Sequence, residues 1–499
     1  MNTVLLPCDS PRGIILLFLG WGTGLKPFLH LRKPGYDILL INDYRDFSPE
    51  NLESRLRAIR DDRFRDTGEE YAETIVIAWS FGVRAAHDFL RSTRWNVTLR
   101  LAVNGTLSHI DAKRGIPPEI FNGTLENLSS PTLKKFRLRC VGNMAAYKKL
   151  FPEVESENID SLKEELRWFA SLDLVADTSL WDKAIIGLDD HIFPPDNQML
   201  AWEGTDIYPL GATAHFPDFG KIITEFVADK RRVADKFGCT RRNYTRNADA
   251  QKLTAQSLFE YLWQTAGKRL TENRRTLTVL EAGHGDGTFT RRYFPDLSPF
   301  IKKLVLADIS QDAYLPSAGG CDEGERGIGL QTVVGDVESG EFASRWLTEE
   351  TYDMILSASM LQWLNSPSAF LGKCCRALRS GGVIAIAYYG EGTLTELIAA
   401  GGSGLKYPSM RRMTDIARKA GLDVEIAESE DIVLEFDSAM DALRHLKLTG
   451  VNALPKDSSP ADTRRIIRDW PLDTQGKATL TFRPVYLIIT KNRKELTKS

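Results

Sequence analysis

Two tight turns do most to restrict how this chain can fold. Each follows a short β-rich run and opens a helical one: Ala78-Trp79-Ser80-Phe81-Gly82 between residues 74–78 and 83–90, and Glu281-Ala282-Gly283-His284-Gly285-Asp286-Gly287 after residues 276–280. A strand that turns at once into a helix is the repeating step of a parallel α/β sheet. The same rhythm runs on around each turn, from about 13 to 217 and from about 277 to 389. Between them a charged, helix-patterned connector from 221 to about 251 leads into a helix expected over 248–269. Pro217 and Gly220 break the periodicity after the last feature of the first series, which places the expected division at 1–219 and 220–499. At 499 residues the chain is long enough for two substantial cores, although length alone suggests about three.

Composition removes several classes. Hydrophobic residues make up 42% and charged residues 26% of the chain, which excludes collagen-like, low-complexity and wholly disordered polypeptides. Lys+Arg 64 against Asp+Glu 67 leave a net charge of −3. No chain-wide field therefore selects a nucleic acid or an anionic membrane, and any basic patch is local. The cysteines, Cys8, Cys140, Cys239, Cys321, Cys374 and Cys375, show no C-x-x-C spacing, which argues against a disulfide framework or a zinc site, and no metal is expected. The apolar run 14–19 is far shorter than the ~20 residues that cross a bilayer, and residues 1–7 lack a basic signal-peptide start. A cytoplasmic location is expected, with the sequon Asn104-Gly105-Thr106 as a chance match.

The first turn carries the pattern of a nucleophile. A serine at such a corner needs small residues two before and two after it, so that strained backbone passes close to its neighbours and Oγ stays exposed. Ala78 stands where the first glycine is usual, and Gly82 supplies the second. Serine attacks only when a histidine takes its proton and a carboxylate fixes that histidine's tautomer. In an α/β-hydrolase both follow the serine, each beyond a later strand. After the strand 183–187 comes Leu188-Asp189-Asp190-His191-Ile192-Phe193-Pro194, with Asp190 in the acid position and Asp189 as its adjacent competitor. His215, in a small-residue loop ending at Pro217, is the candidate base, because His191 is too near the acid strand to approach from another loop. One oxyanion donor is expected from the Phe81 N–H. The second is expected from Gly20-Trp21-Gly22, with Trp21 donating its N–H while its indole either walls an acyl channel or simply packs.

Gly20-Trp21-Gly22, Trp79-Ser80-Phe81-Gly82, Gly187 to Pro194 with Asn197-Gln198, and Ala214-His215-Phe216-Pro217 together resemble the compact pimeloyl-acyl-carrier-protein methyl ester esterases of biotin synthesis, over about 1–219. The resemblance implies a triad of Ser80, Asp190 and His215, and a cap inserted at about 106–175. The cap's Lys134, Lys135, Arg137, Arg139, Lys148 and Lys149 suit an acidic carrier protein, and each also reads as part of a solvated helix face.

The second turn carries the pattern of a cofactor loop. Thr288 stands where the dinucleotide fingerprint G-x-G-x-x-G needs its third glycine. Glu281, Gly283, Gly285 and Gly287 form E-x-G-x-G-x-G instead, which suits S-adenosylmethionine. A strand ending in Asp308 places a carboxylate for the ribose hydroxyls, and one ending in Asp336 suits the adenine amino group; strands over 352–359 and 378–387 follow. Methyl transfer from a sulfonium rests on proximity and orientation. A carboxylate acceptor is already ionised at neutral pH and needs no general base.

Met360-Leu361-Gln362-Trp363-Leu364, the stretch 389–397, Leu443-Arg444-His445-Leu446-Lys447 with Gly450-Val451-Asn452, and 480–486 resemble malonyl-acyl-carrier-protein O-methyltransferases over about 230–491, as does the leading segment 236–248. His284 and Asp286 fill variable slots of the glycine loop and Cys239 stands in a basic stretch, and neither departure removes a cofactor ligand. Arg241, Arg242, Arg246, Arg444 and Lys447 are candidates to meet the carrier protein or the malonyl carboxylate, or are solvated or capping residues.

The expected fold class is α/β throughout: an N-terminal α/β-hydrolase fold with an inserted cap, and a C-terminal class I Rossmann-like methyltransferase fold. The resemblances imply a bifunctional biotin-precursor enzyme. Its second half would methylate malonyl-acyl-carrier protein, and its first half would hydrolyse the pimeloyl methyl ester formed after elongation, with no nucleic-acid or membrane partner. Two rivals stand beside it: a natural-product methyltransferase fused to a thioesterase, and a carrier-binding scaffold with one inactive half.

Overall fold

In a computed structural model, which describes residues 1–68, 70–152, 158–235, 248–272, 276–313, 328–402, 404–405, 407–449 and 460–492, the chain forms two units, Met1–Val227 and Ala228–Ser499. None of the described helices is long and apolar enough to cross a membrane.

The first unit is built on strands β1 (Asn2–Leu6), β2 (Gly13–Phe18), β3 (Tyr36–Asn42), β4 (Glu73–Trp79), β5 (Val97–Val103), β6 (Lys183–Gly187) and β7 (Asp206–Leu210), in the order β1-β3-β2-β4-β5-β6-β7. All neighbours are parallel except β1 and β3. β2 and β4 are buried along their whole length, as their unbroken apolar runs require of strands covered on both faces. Helices α1 (Pro49–Thr67) and α2 (Gly82–Ser92) follow β3 and β4. α1 is bounded by the Ser48 side chain accepting the Asn51 N–H and by Gly68 at φ 72°. From β2 the chain proceeds to β3 on one side and β4 on the other, so a crevice opens at the carboxyl ends of these strands.

Over that crevice lie α3 (Pro118–Glu126), α4 (Ser130–Val141), α5 (Met144–Leu150) and α6 (Ile159–Ala170), inserted between β5 and β6. Three polar contacts bind this cap to the loops below it. The Trp21 indole N–H donates to the Leu162 carbonyl at 3.0 Å. Arg137 Nε donates to the Gly22 carbonyl at 2.7 Å. The Phe216 N–H donates to the Cys140 carbonyl at 2.7 Å. The first contact seats the Trp21 indole N–H against the cap. The second removes Arg137 from the solvated basic face expected of it, because its guanidinium is buried against the loop after β2.

A fourth contact is titratable. Glu165 on α6 is buried and accepts the Tyr44 N–H at 3.0 Å. Burial, reinforced by Asp43 and opposed by the Tyr44 N–H and Arg45, pushes its carboxyl up to about 7. The unfolded chain titrates this group near ~4.3. The folded state therefore binds the extra proton between these values, and stability falls as pH rises from about 4 to about 7. Glu165→Gln keeps an acceptor for Tyr44, so it is expected to stabilise the chain by about 3–4 kcal/mol at pH 8 and to change little at pH 4, as thermal melts across that range would show.

α7 (Pro195–Ala201) follows β6, and α8 (Phe219–Phe226) closes the unit. α8 buries Phe219, Ile222, Ile223 and Phe226 in the same core as β2 and β4. The unit therefore extends to Val227, past the division expected at 219/220. Gly220 does not end an element: it lies in the first turn of α8, whose N-cap Asp218 accepts the Lys221 N–H.

In the second unit, β8 (Leu277–Ala282), β9 (Ile301–Asp308), β10 (Gly329–Val334), β11 (Tyr352–Ala358), β12 (Leu378–Tyr389), β13 (Asp423–Ser429) and β16 (Pro484–Thr490) form a sheet ordered β10-β9-β8-β11-β12-β16-β13. β16 alone runs antiparallel to its neighbours. β14 (Ile432–Phe436) and β15 (Ala478–Phe482) pair separately. Chain order reverses between β8 and β11, so the ligand crevice of an open α/β sheet is expected there. The helix anticipated over 248–269 is regular only over Asp249–Leu262 and widens at Trp263–Gly267. There the Trp263 ring lies 2.9 Å from where a Cβ on Gly267 would stand. Arg241, Arg242, Arg246 and Cys239 lie outside the described residues.

Candidate active sites

Ser80 sits at φ 58°, a conformation that costs a non-glycine residue roughly 1–3 kcal/mol and persists only when its surroundings impose it. Those surroundings are glycines. A Cβ on Gly105 would stand 2.3 Å from the Ser80 carbonyl oxygen, one on Gly20 2.9 Å from the Ser80 Cβ, and one on Gly82 2.6 Å from the Leu19 carbonyl oxygen. The strand ends can close on the elbow only without side chains.

Three loops bring the charge-transfer groups together. His215 Nε2 lies 3.0 Å from Ser80 Oγ, and His215 Nδ1 lies 2.9 Å from Asp190 Oδ2, with all three residues buried. Asp190 also accepts from the N–H groups of Ile192 at 2.8 Å and Phe193 at 3.0 Å, and from Gln198 Nε2 at 3.0 Å. Because Asp190 Oδ2 accepts the Nδ1 proton, the Nε2 lone pair faces the serine. Asp189 is exposed and pairs with the equally exposed His191 at 3.2 Å. The amides of Phe81 and Trp21 donate to no acceptor among the described residues, as two donors waiting for an oxyanion would.

Several residues that hold these groups carry no mark in the sequence. Asn104, at φ 44°, donates through Nδ2 to the carbonyls of Ala214 at 3.1 Å and His215 at 2.9 Å, and accepts the Gly187 N–H at 2.7 Å. One buried amide thus spans the histidine loop and the acid strand. The Trp79 indole N–H donates to the His215 carbonyl at 2.8 Å. Asn104→Ala leaves the Ala214 carbonyl and the Gly187 N–H without this partner and removes one of the two donors to the His215 carbonyl. It is expected to lower kcat of ester hydrolysis by about 10- to 100-fold with little change in KM, as steady-state kinetics beside a thermal melt would reveal.

In the second unit the glycine loop bends through φ 73° at Gly283, 52° at Gly285 and 78° at Gly287. A Cβ on Gly283 would stand 2.3 Å from Met360 Cγ, while one on Gly285 would meet nothing within 4 Å, so the loop is packed on one side and open on the other. It opens onto a cavity of about 1100 Å³, mouth included, which Glu281, Asp308, Asp336 and Lys230 also line. Asp308 Oδ2 accepts the Gly285 N–H at 2.9 Å and Oδ1 the Ser310 N–H at 2.8 Å. Glu281, whose carboxyl is pushed up by burial, accepts from Thr290 Oγ1 at 2.7 Å and the Tyr293 hydroxyl at 2.8 Å, bracing the helix Thr288–Leu297 behind the loop. Asp336 Oδ1 accepts the Glu338 N–H at 3.1 Å and lies 3.8 Å from Lys230 Nζ. Lys230 is buried and hydrogen-bonded to Glu338, a contact missing from the sequence reading. A glycine loop open on one side, with acidic side chains around its mouth, fits a nucleoside diol beside a cationic centre.

Residues 8–216 match the family model described as Pimeloyl-ACP methyl esterase BioG, and residues 280–386 match a methyltransferase domain. The malonyl-[acyl-carrier protein] O-methyltransferase of Bacteroides fragilis is 31% identical over 491 residues, covering 96% of this chain and 92% of that protein. The chain belongs to the malonyl-[acyl-carrier protein] O-methyltransferase family.

Members without a counterpart to the first unit align with the second: the Haemophilus influenzae malonyl-[acyl-carrier protein] O-methyltransferase is 29% identical over 272 residues, covering 52% of this chain and 94% of its own length. The solved structure of BioG from Haemophilus influenzae shares 29% identity, with a TM-score of 0.35, and covers 43% of this chain and 94% of its own. The methyl donor is S-adenosylmethionine, and the glycine loop with Asp308 and Asp336 is the part of this chain suited to hold it. Arg444 is exposed and paired with Asp441, and Lys447 is exposed; neither lines the cofactor cavity.

Proposed function

We propose that the second unit methylates the free carboxylate of malonyl-acyl-carrier protein and that the first hydrolyses the methyl ester of pimeloyl-acyl-carrier protein, two steps of biotin precursor synthesis. The observation that carries the esterase half is the hydrogen-bonded series Ser80–His215–Asp190 beneath a cap, in the segment matched by the esterase model. His215 takes the Ser80 proton as Oγ attacks the ester carbonyl. The Phe81 and Trp21 amides hold the developing oxyanion, and Asp190, held by three further donors, stabilises the imidazolium. Methanol leaves with the proton His215 returns, and water then releases the free carboxylate from the acyl-serine. S-Adenosylmethionine supplies an electrophilic methyl group to the other unit, where Asp308 and Asp336 orient the bound nucleoside.

Both substrates ride on an acidic carrier. Lys134, Lys135, Arg139, Lys148 and Lys149 are exposed on α4 and α5 without an ion-pair partner among the described residues, and a local patch of this kind steers an acidic protein despite a net charge of −3. The opposed activities avoid a futile cycle only if the esterase favours the longer acyl chain.

Mass spectrometry of carrier protein incubated with the full chain and isotope-labelled cofactor tests both halves. Malonyl-carrier protein should gain one labelled methyl group, and pimeloyl-carrier-protein methyl ester should lose its own. No transfer to malonyl, or hydrolysis of malonyl and pimeloyl methyl esters at equal rates, would contradict the assignment.

A further inference from the structure

Beside the cofactor cavity lies a smaller one of about 370 Å³, and the two share Gln251, Ser359 and Trp363 on their walls. Four polar side chains on the smaller cavity's lining are under-bonded: the amide oxygens Gln251 Oε1 and Gln362 Oε1, and the hydroxyls of Ser359 and Tyr389, which interact with each other and, for Tyr389, with Thr254. Gln251, Gln362 and Tyr389 are more than nine-tenths buried. Buried polar atoms are almost always satisfied, and under-bonded ones on the walls of one cavity mark a place for a polar ligand, to which the two hydroxyls can donate while the two amide oxygens can only accept. Ser359 also sits at φ 58°, held by its N–H to the Ala387 carbonyl at 2.8 Å, and Gln362 Nε2 fixes the Ser359 carbonyl at 2.7 Å. Strain of this kind collects at functional sites. No charged side chain lines the cavity among the described residues.

We propose that this cavity receives the acceptor carboxylate, holding it through the neutral hydroxyls of Tyr389 and Ser359 and not through any cation among the described residues, so that its binding depends on the positive charge of the methyl donor. The inference rests on the methyltransferase reading above and adds the residues and the electrostatics. Burial pushes the Tyr389 phenol up to about 12, so at neutral pH it is a hydrogen-bond donor and not a competing anion. An arginine or lysine at this place would hold the carboxylate equally well before and after cofactor binding, and would compete for the electron pair that must attack. A neutral cradle leaves that pair available. The carboxylate oxygen forms its bond to the methyl carbon as the methyl–sulfur bond breaks, the bonding pair stays on sulfur, and no proton moves. Carboxylate and sulfonium charges vanish together, leaving a neutral ester that the charge attraction no longer holds, which favours release.

The wild-type full chain tests this without any variant. Binding of malonyl-pantetheine is measured by calorimetry with the chain saturated either by sinefungin, whose ammonium stands in for the sulfonium, or by the neutral S-adenosylhomocysteine. Affinity should be about tenfold or more higher with sinefungin; equal affinities overturn the proposal. Tyr389→Phe should weaken acceptor binding and raise the KM for acceptor while S-adenosylhomocysteine affinity and melting temperature stay unchanged; Ser359→Ala, at a residue shared with the cofactor cavity, should weaken acceptor binding more than it weakens S-adenosylhomocysteine binding. Wild-type acceptor kinetics in both variants would also overturn it. Should the chain methylate succinyl- but not malonyl-carrier protein, and Tyr389→Phe impair that transfer, the malonyl assignment fails while the pocket assignment holds.

Discussion

Ser80→Ala is expected to abolish ester hydrolysis, lowering kcat by about 10,000-fold or more, while methyl transfer by the same chain proceeds at its wild-type rate. The size of the effect follows from the geometry: among the described residues His215 Nε2 has only Ser80 Oγ as its hydrogen-bond partner, and removing that oxygen leaves a base with no nucleophile to activate. The substitution removes one buried hydroxyl without altering the glycine-clamped backbone, so the melting temperature should hold. A fluorophosphonate probe should label wild-type protein and not the variant. Hydrolysis surviving within tenfold of wild type would place the nucleophile elsewhere. Equal loss of methyl transfer would mean that the substitution had damaged the chain as a whole.

Asp308→Ala should have the corresponding effect on the other activity. The Asp308 carboxylate accepts two backbone N–H groups, from Gly285 and Ser310, and faces the cofactor cavity. It thus shapes the glycine loop and offers remaining lone pairs to a diol. Losing two charge-assisted hydrogen bonds at about 1.5–3 kcal/mol each, with the ribose contact as well, predicts S-adenosylhomocysteine binding weakened by between about 100-fold and several thousandfold, read by calorimetry. Asp308→Asn, which preserves one acceptor oxygen, should fall between. Cofactor affinity within threefold of wild type in Asp308→Ala would remove this residue from the site. Ester hydrolysis serves as the internal control, because Ser80 and its partners lie in a separately packed unit.

Sequence reading reaches the residues whose roles are imposed by nearby chain. Ser80 is marked by the strand before it and Gly82 after it, His215 by its small-residue loop, and Asp308 by the end of an apolar strand. The α/β class is equally legible, because buried parallel strands such as β2 leave an unbroken apolar run. What escapes is anything fixed by long-range pairing. Asn104 reads as a chance sequon and is instead buried, holding the carbonyl of a residue 111 positions away. Arg137 reads as a surface cation because its helix is amphipathic only weakly, yet its guanidinium reaches the Gly22 carbonyl, 115 positions back in the chain. The first unit runs on to Val227, past Gly220, because the apolar face of α8 has a core to meet. The acceptor cavity draws on chain from Gln251 to Phe482, and no spacing rule joins such distant segments.

The cap of the first unit also bears on how enzymes of this architecture can diverge. α4 grips the Gly22 carbonyl with Arg137 and gives its own Cys140 carbonyl to Phe216, next to His215, while α6 takes the Trp21 indole. A cap wired into the loops on both sides of the nucleophile is not an exchangeable lid. Grafting a cap from another hydrolase to alter substrate choice would disturb the machinery along with the preference, so new specificity is more accessible through single changes on the cap's inner face than through its replacement.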